Sequence, residues 1–139
     1  MAIATARRRD EVDRWIPATL EAIDQVCAEV KKFLADRQLD RLGFEVVLLV
    51  REALINAVVH GARLDPANRI RFILTQEGGH VVVTVEDPGP GFDWRQEVDG
   101  AVDPSREHGR GLLIFHRYAT DFAYNDKGNR LTLRKAVTG

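Results

Sequence analysis

The sequence predicts an α/β (α+β) two-layer sandwich, with helices on one face of a mixed, mostly antiparallel sheet. Three observations predict it. Two long segments near the start carry apolar residues at helical spacing. Two alternating segments follow, joined by the hairpin signal Gly78-Gly79. A short helical segment and a second hairpin close the chain.

Each element has its own signal. Pro17 reads as a first-turn helix proline. After it Leu20, Ile23, Cys27, Val30 and Leu34 form an apolar stripe, with Glu21, Asp24, Glu29, Lys31 and Lys32 on the other faces. This predicts an amphipathic helix over about 17–36. Cys27 lies on the stripe and reads as inert core. A second helix is expected over about 40–60, ended by Gly61 at its C′ position. Its apolar residues, from Phe44 to Val59, point in almost every direction, the pattern of a buried helix.

The segment from Leu64 to Asn68 reads as a turn. In the strand expected from Arg69 to Thr75, Ile70, Phe72 and Leu74 share a face. In the returning strand from His80 to Glu86, Val81, Val83 and Val85 point inward. A tight turn between them makes the pair antiparallel. Asp87-Pro88-Gly89-Pro90-Gly91 follows, then a long polar stretch, residues 92–108, of the length that loops with a function often have. A short helix is expected over about 110–118. Residues Thr120 to Tyr124 and Leu131 to Lys135 read as a last hairpin around Asp126-Lys127-Gly128-Asn129.

With 139 residues the chain fits one domain spanning residues 1–139, with an N-terminal segment over 1–15. Hydrophobic residues make up 45% and charged residues 29%, a globular mix. A net charge of -1 gives no electrostatic footprint for direct nucleic-acid binding. The longest apolar run, Val46 to Val50, is too short to cross a membrane, and no signal-peptide segment is evident. A single cysteine leaves no disulfide framework. These features point to a cytoplasmic protein.

Three features carry chemistry. Glu52 and Asn56 are four apart on the second helix and project from one face, with His60 a turn further. A carboxylate on an apolar helix needs a cation, a polar cavity or a structural partner such as an arginine. Asp87-x-Gly89-x-Gly91 follows a strand; its acid can accept hydrogen bonds from an exocyclic amine, although the same residues make ordinary turns. Gly109-Arg110-Gly111-Leu112 opens a helix whose free N–H groups suit phosphate oxygens. The P-loop pattern is missing, Gly89-x-Gly91 lacks the third glycine of a dinucleotide fingerprint, and His60, His80, His108 and His116 lack metal-ligand spacing.

In combination these features resemble the ATP-binding (Bergerat) fold shared by histidine kinases, DNA gyrase and a heat-shock chaperone. Glu52-Ala-Leu-Ile-Asn56-Ala-Val-Val-His60-Gly61, the following Ala62 to Asn68, and the ending Gly128 to Lys135 look most like the anti-sigma-factor serine/threonine kinases. The likeness covers roughly residues 16–136.

The resemblance implies an ATP site with Mg²⁺ held through Asn56 and the adenine amine met by Asp87. Gly89 and Gly91 would give room to base and lid. Gly109, Arg110, Gly111 and Leu112 would lie against the phosphates, and residues 92–108 would form the lid. Glu52 would be the general base that activates a serine hydroxyl on an antagonist (anti-anti-sigma) protein. The implied partners are that antagonist and a sigma factor, and the implied assembly is a homodimer. Two other readings of the same features are a partner-binding module that responds to ATP without phosphoryl transfer, and a detached histidine-kinase catalytic domain. The chain departs from the pattern at the last hairpin: Asn129 and Arg130 stand where many relatives carry threonine. The strand expected before the first helix is faint, with only Val12 and Ile16 to mark it.

Overall fold

The computed structural model describes residues 11–89 and 107–138, with side chains of the last helix described from Gly111 onward. The sheet has five strands: β1 (Glu11–Pro17), β2 (Arg69–Glu77), β3 (His80–Glu86), β4 (Asp121–Tyr124) and β5 (Arg130–Ala136). Their order is β1-β2-β3-β5-β4, so β3 is central. All four pairings among the described residues are antiparallel, which makes the sheet simpler than the mixed one expected.

Alternation sets the two faces of the sheet. Ile16, Ile70, Phe72, Leu74, Val81, Val83, Val85, Leu131 and Leu133 are buried on one face. The opposite face carries the exposed Trp15 with the Arg71 guanidinium over its ring. Residues directly paired across strands share a face, so Arg14, opposite Phe72, lies on the core side. It reaches past the core to pair with Glu29 at 2.5 Å.

Three helices cover the apolar face: α1 (Leu20–Asp36), α2 (Gly43–Ile55) and α3 (Glu107–Tyr118). Thr19, not Pro17, starts α1: its hydroxyl accepts the Ala22 N–H at 3.3 Å, while Pro17 closes β1 opposite Arg69. Pro17 tolerates that place because β1 is an edge strand and a missing N–H costs little there. Ile23, Cys27, Val30 and Leu34 of α1 are buried, as their spacing predicts, while Leu20, the first residue of the helix, is 52% exposed. Burial pushes the Cys27 thiol above its ordinary range, so it stays a protonated core residue.

The helix expected over 40–60 is three pieces. A 3₁₀ turn (Asp40–Leu42) leads into α2, and α2 runs into a π-helical turn (Asn56–Gly61). The Ala62 N–H reaches the Ala57 carbonyl at 2.8 Å, the five-residue step of a π-turn. Gly61 does not adopt the left-handed conformation of a C′ glycine; Arg63 and Leu64 take positive φ instead, at 55° and 59°. Nor is this helix buried all round. Val46, Leu49, Val50, Ala53, Leu54, Ala57 and Val58 face the core, while Phe44 is 73% exposed and Val47 and Leu48 are half-buried. A two-layer fold leaves the outer side of every helix open to water, whatever its composition. α2 packs against α1, α3, β3 and β5, so it is the central helix over the central strand.

Candidate functional site

The site residues come from three places that the fold brings together: α2 with its π-turn, the segment after β3, and the start of α3. Glu52 lies one turn before Asn56, and both are half-buried. Glu52 and His60 each engage a partner within the chain. A half-buried carboxylate with a partner does not carry the full desolvation cost of a buried one.

Asn56 faces α3. A Cβ built on Gly111 would lie 2.9 Å from Asn56 Nδ2, closer than side chains pack. The absence of a side chain at Gly111 is what lets the two helices bring the amide against the backbone of α3. Gly61, at the other end of the π-turn, faces the segment after β3. A Cβ on Gly61 would lie 2.2 Å from Asp87 Cγ and 2.4 and 2.5 Å from its two oxygens. Gly89 closes the group: a Cβ there would be 2.4 Å from the Gly61 carbonyl oxygen and 2.9 Å from Asp87 Oδ1. Asn56 and Gly61 are separated by five helical steps, at most about 7.5 Å along the axis. One short turn therefore carries the contact to Asp87 at one end and the contact to α3 at the other.

Asp87 is held at both backbone and side chain. Its N–H donates to the Asn129 carbonyl at 3.0 Å, and its own carbonyl accepts from Asn129 Nδ2 at 2.9 Å. Oδ1 accepts the Gly89 N–H at 2.8 Å. Among the described residues no donor hydrogen-bonds Oδ2, which leaves an acceptor oxygen for a ligand amine. Burial pushes the pKa of this carboxyl above the ordinary Asp range; the Gly89 N–H opposes the shift, Glu86 adds to it and Lys127 counters it. The Tyr124 phenol is also pushed well up, first by burial and then by the negative charge of Asp87.

The other expected site residues are distributed less evenly. Leu112 is 1% exposed and packs in the core, so its side chain faces the sheet and not a ligand. Gly109 and Arg110 lie within the first turn of α3. Gly91 and most of the expected lid, residues 92–106, fall outside the described residues. Sequence reasoning missed three contributors. Gly61 reads locally as a helix terminator, and only the fold shows Asp87 in its missing side-chain volume. Asn125 and Asn129 read as turn residues, which they are, but Asn129 also bonds Asp87 and Asn125 bonds Asn129. The two asparagines flanking Gly128 were the available signal.

The chain matches the histidine kinase-like ATPase domain family over residues 16–135. It belongs to that family. The matched stretch runs from the last residues of β1 to the end of β5 and so takes in α2, the π-turn, Asp87 and α3. The chain is also 27% identical to an anti-sigma F factor of Geobacillus sp. (strain WCH70) over 110 residues, which cover 74% of this chain and 75% of the relative. An ATPase-type domain binds ATP, and this chain has the α+β layers and antiparallel sheet of that fold. No helix among the described residues is long and apolar enough to cross a membrane.

Proposed function

We propose that this protein is an anti-sigma regulator that binds ATP and phosphorylates a serine or threonine on an antagonist protein. The observation that carries the reading is the pair of contacts at the two ends of one π-turn, Gly61 against Asp87 and Asn56 against Gly111. In this reading one end of the turn serves base recognition and the other the phosphates.

At the first end, Asp87 Oδ2 accepts a hydrogen bond from the adenine 6-amino group. Guanine carries a carbonyl oxygen at that position and is repelled by the same carboxylate. Gly61 and Gly89 remove side chains that would otherwise occupy the ground beneath the base. At the second end, the N-terminal turn of α3, with Gly109, Arg110 and Gly111, lies against the phosphates, where free N–H groups and the helix dipole favour negative charge.

Among the described residues no three His, Cys, Asp or Glu side chains gather in a metal-binding group. The donor set fits Mg²⁺ nonetheless, because that ion takes few protein ligands and keeps phosphate oxygens and waters. Asn56 Oδ1 is the protein oxygen that would hold it. When bound, Mg²⁺ offsets the negative charge of the phosphates.

Glu52 is the general base. Its carboxylate takes the hydroxyl proton of the target serine as the serine oxygen bonds to the γ-phosphorus. The bond from that phosphorus to the β–γ bridging oxygen breaks, and ADP leaves with the bonding pair.

The likeness to an anti-sigma F factor supports a sigma factor as the regulated partner. An antagonist protein as the phosphoryl acceptor and a homodimer as the assembly complete the proposal. Glu52 already has a partner within the chain, which favours a second reading: a regulator that binds ATP and partner without phosphoryl transfer. Labelled ATP with Mg²⁺ separates the two. Wild type and Glu52→Ala are each mixed with candidate antagonist proteins from the same genome. Label on one antagonist with wild type alone supports the kinase. ATP binding with no label on any candidate supports the second reading.

A further inference from the structure

The turn between β4 and β5 has a directed hydrogen-bond chain that ends on Asp87. It begins at Asn125. Its Oδ1 accepts three backbone N–H groups, from Gly128 at 2.9 Å, Asn129 at 3.0 Å and Arg130 at 3.1 Å. Three converging donors can be met only by an oxygen, so the orientation of this amide is fixed. Its Nδ2 must then point the other way, and it donates to Asn129 Oδ1 at 2.8 Å. That in turn fixes the Asn129 amide with Nδ2 outward, where it donates to the Asp87 carbonyl at 2.9 Å. The Asn129 backbone carbonyl accepts the Asp87 N–H at 3.0 Å. One residue thus grips both main-chain polar groups of Asp87, and a second residue prevents it from turning over.

Neither contact is part of the sheet ladder. The β3–β5 register ends at Glu86 opposite Arg130, so Asp87 is the first residue beyond it. Without the amide, Asp87 would hang from the end of the strand by its N–H alone. The space around its carboxyl group leaves no slack, because Gly61 and Gly89 are both within contact distance. A small rotation of the Asp87 backbone therefore moves Oδ2 out of line with any amine it is to meet.

We propose that Asn129, locked in one orientation by Asn125, is the positioning residue for the Asp87 carboxylate and thereby for selection of the adenine amine. The proposal rests on the reading that Asp87 receives that amine. It gives Asn129 a role in place of the threonine that many relatives carry there: a structural grip on the acid rather than a hydroxyl.

The test uses the full-length protein and two nucleotides, ATP and purine riboside triphosphate, which lacks the 6-amino group. Wild type should prefer ATP by about tenfold, the worth of one hydrogen bond to a charged group. Asn129→Ala should reduce that preference to about twofold or less while the affinity for purine riboside triphosphate stays within about twofold of wild type. A merely structural role would weaken both nucleotides alike. Asn125→Asp is the second variant, and it decides if Asn129→Ala does not fold. It keeps the acceptor for the three backbone N–H groups and replaces the donor that orients Asn129 with a carboxylate oxygen, which repels Asn129 Oδ1, so the same loss of preference is expected. Preference retained in the variant that folds, or equal weakening of both nucleotides, overturns the proposal. Preference retained in Asp87→Asn overturns the adenine assignment itself, and the proposal with it.

Discussion

Gly61 and Asp87 occupy one shared volume: a methyl group on the glycine would lie 2.2 Å from the aspartate carboxyl carbon. The two residues come from different layers, one from the end of the central helix and the other from the end of the central strand. Their contact fixes the depth at which the acid sits in the site. It also explains a glycine that its own backbone conformation does not require.

Gly61→Ala is expected to disturb the site without straining the local backbone, because Gly61 is not at positive φ. Asp87 or the π-turn must move, at about 1–3 kcal/mol in stability. ATP affinity should fall with it. Gly43→Ala is the control, since a Cβ there meets nothing within 4 Å. Thermal melts with and without Mg-ATP check both. A Gly61→Ala protein with wild-type melting and full stabilisation by ATP would refute the contact.

Gly111→Ala should separate stability from function. An alanine inside α3 gains up to about 1 kcal/mol of helix propensity. Among the described residues the crowded neighbour is the end of a flexible side chain, Asn56 Nδ2 at 2.9 Å. The melting temperature should hold or rise, while Mg-ATP affinity drops about tenfold, one lost contact in the conversion of affinity to free energy. Unchanged Mg-ATP affinity in a titration would show that Asn56 need not sit where α3 holds it.

The secondary structure was legible wherever one face alone met the core. Ile70, Phe72 and Leu74 opposite Val81, Val83 and Val85 give β2 and β3 by simple alternation, and both are buried as expected. β1 was faint because Arg14 stands on its core face, where it pairs with Glu29 on another element. The apolar outer side of α2 misled in the other direction: Phe44, Val47 and Leu48 imply a fully buried helix, and a two-layer fold has no third layer to bury them.

Of the site, Glu52 and Asn56 were legible as polar residues on an apolar helix, and Asp87 as an acid between a strand and two glycines. What was not legible is which strand neighbours β3. β5 inserts between β3 and β4, and that insertion brings Asn129 to Asp87, 42 positions away in sequence. No local pattern encodes it.

The Asp87 carboxyl group should cost the apo protein stability at neutral pH. Its folded-state value is raised by burial, so the native state holds its proton more tightly than the unfolded chain does. The penalty on the ionised form is therefore complete above the raised folded value. It is relieved as pH falls through that value toward the ordinary Asp range. Asp87→Asn keeps an oxygen for the Gly89 N–H and carries no charge. It should melt above wild type at pH 7 without nucleotide, and the gap should close as the pH is lowered. Melts of both proteins across that acid range check the sign; a gap that grows on acidification would contradict it.

The most direct test of the account is a calorimetric titration of Mg-ATP into wild type and Asp87→Asn at neutral pH. Wild type should bind tightly and the variant with affinity lower by at least about tenfold, with a fold that melts no lower. Equal affinity in the two proteins would contradict it, because the oxygen left free by Gly89, Gly61 and Asn129 would then meet nothing on the nucleotide.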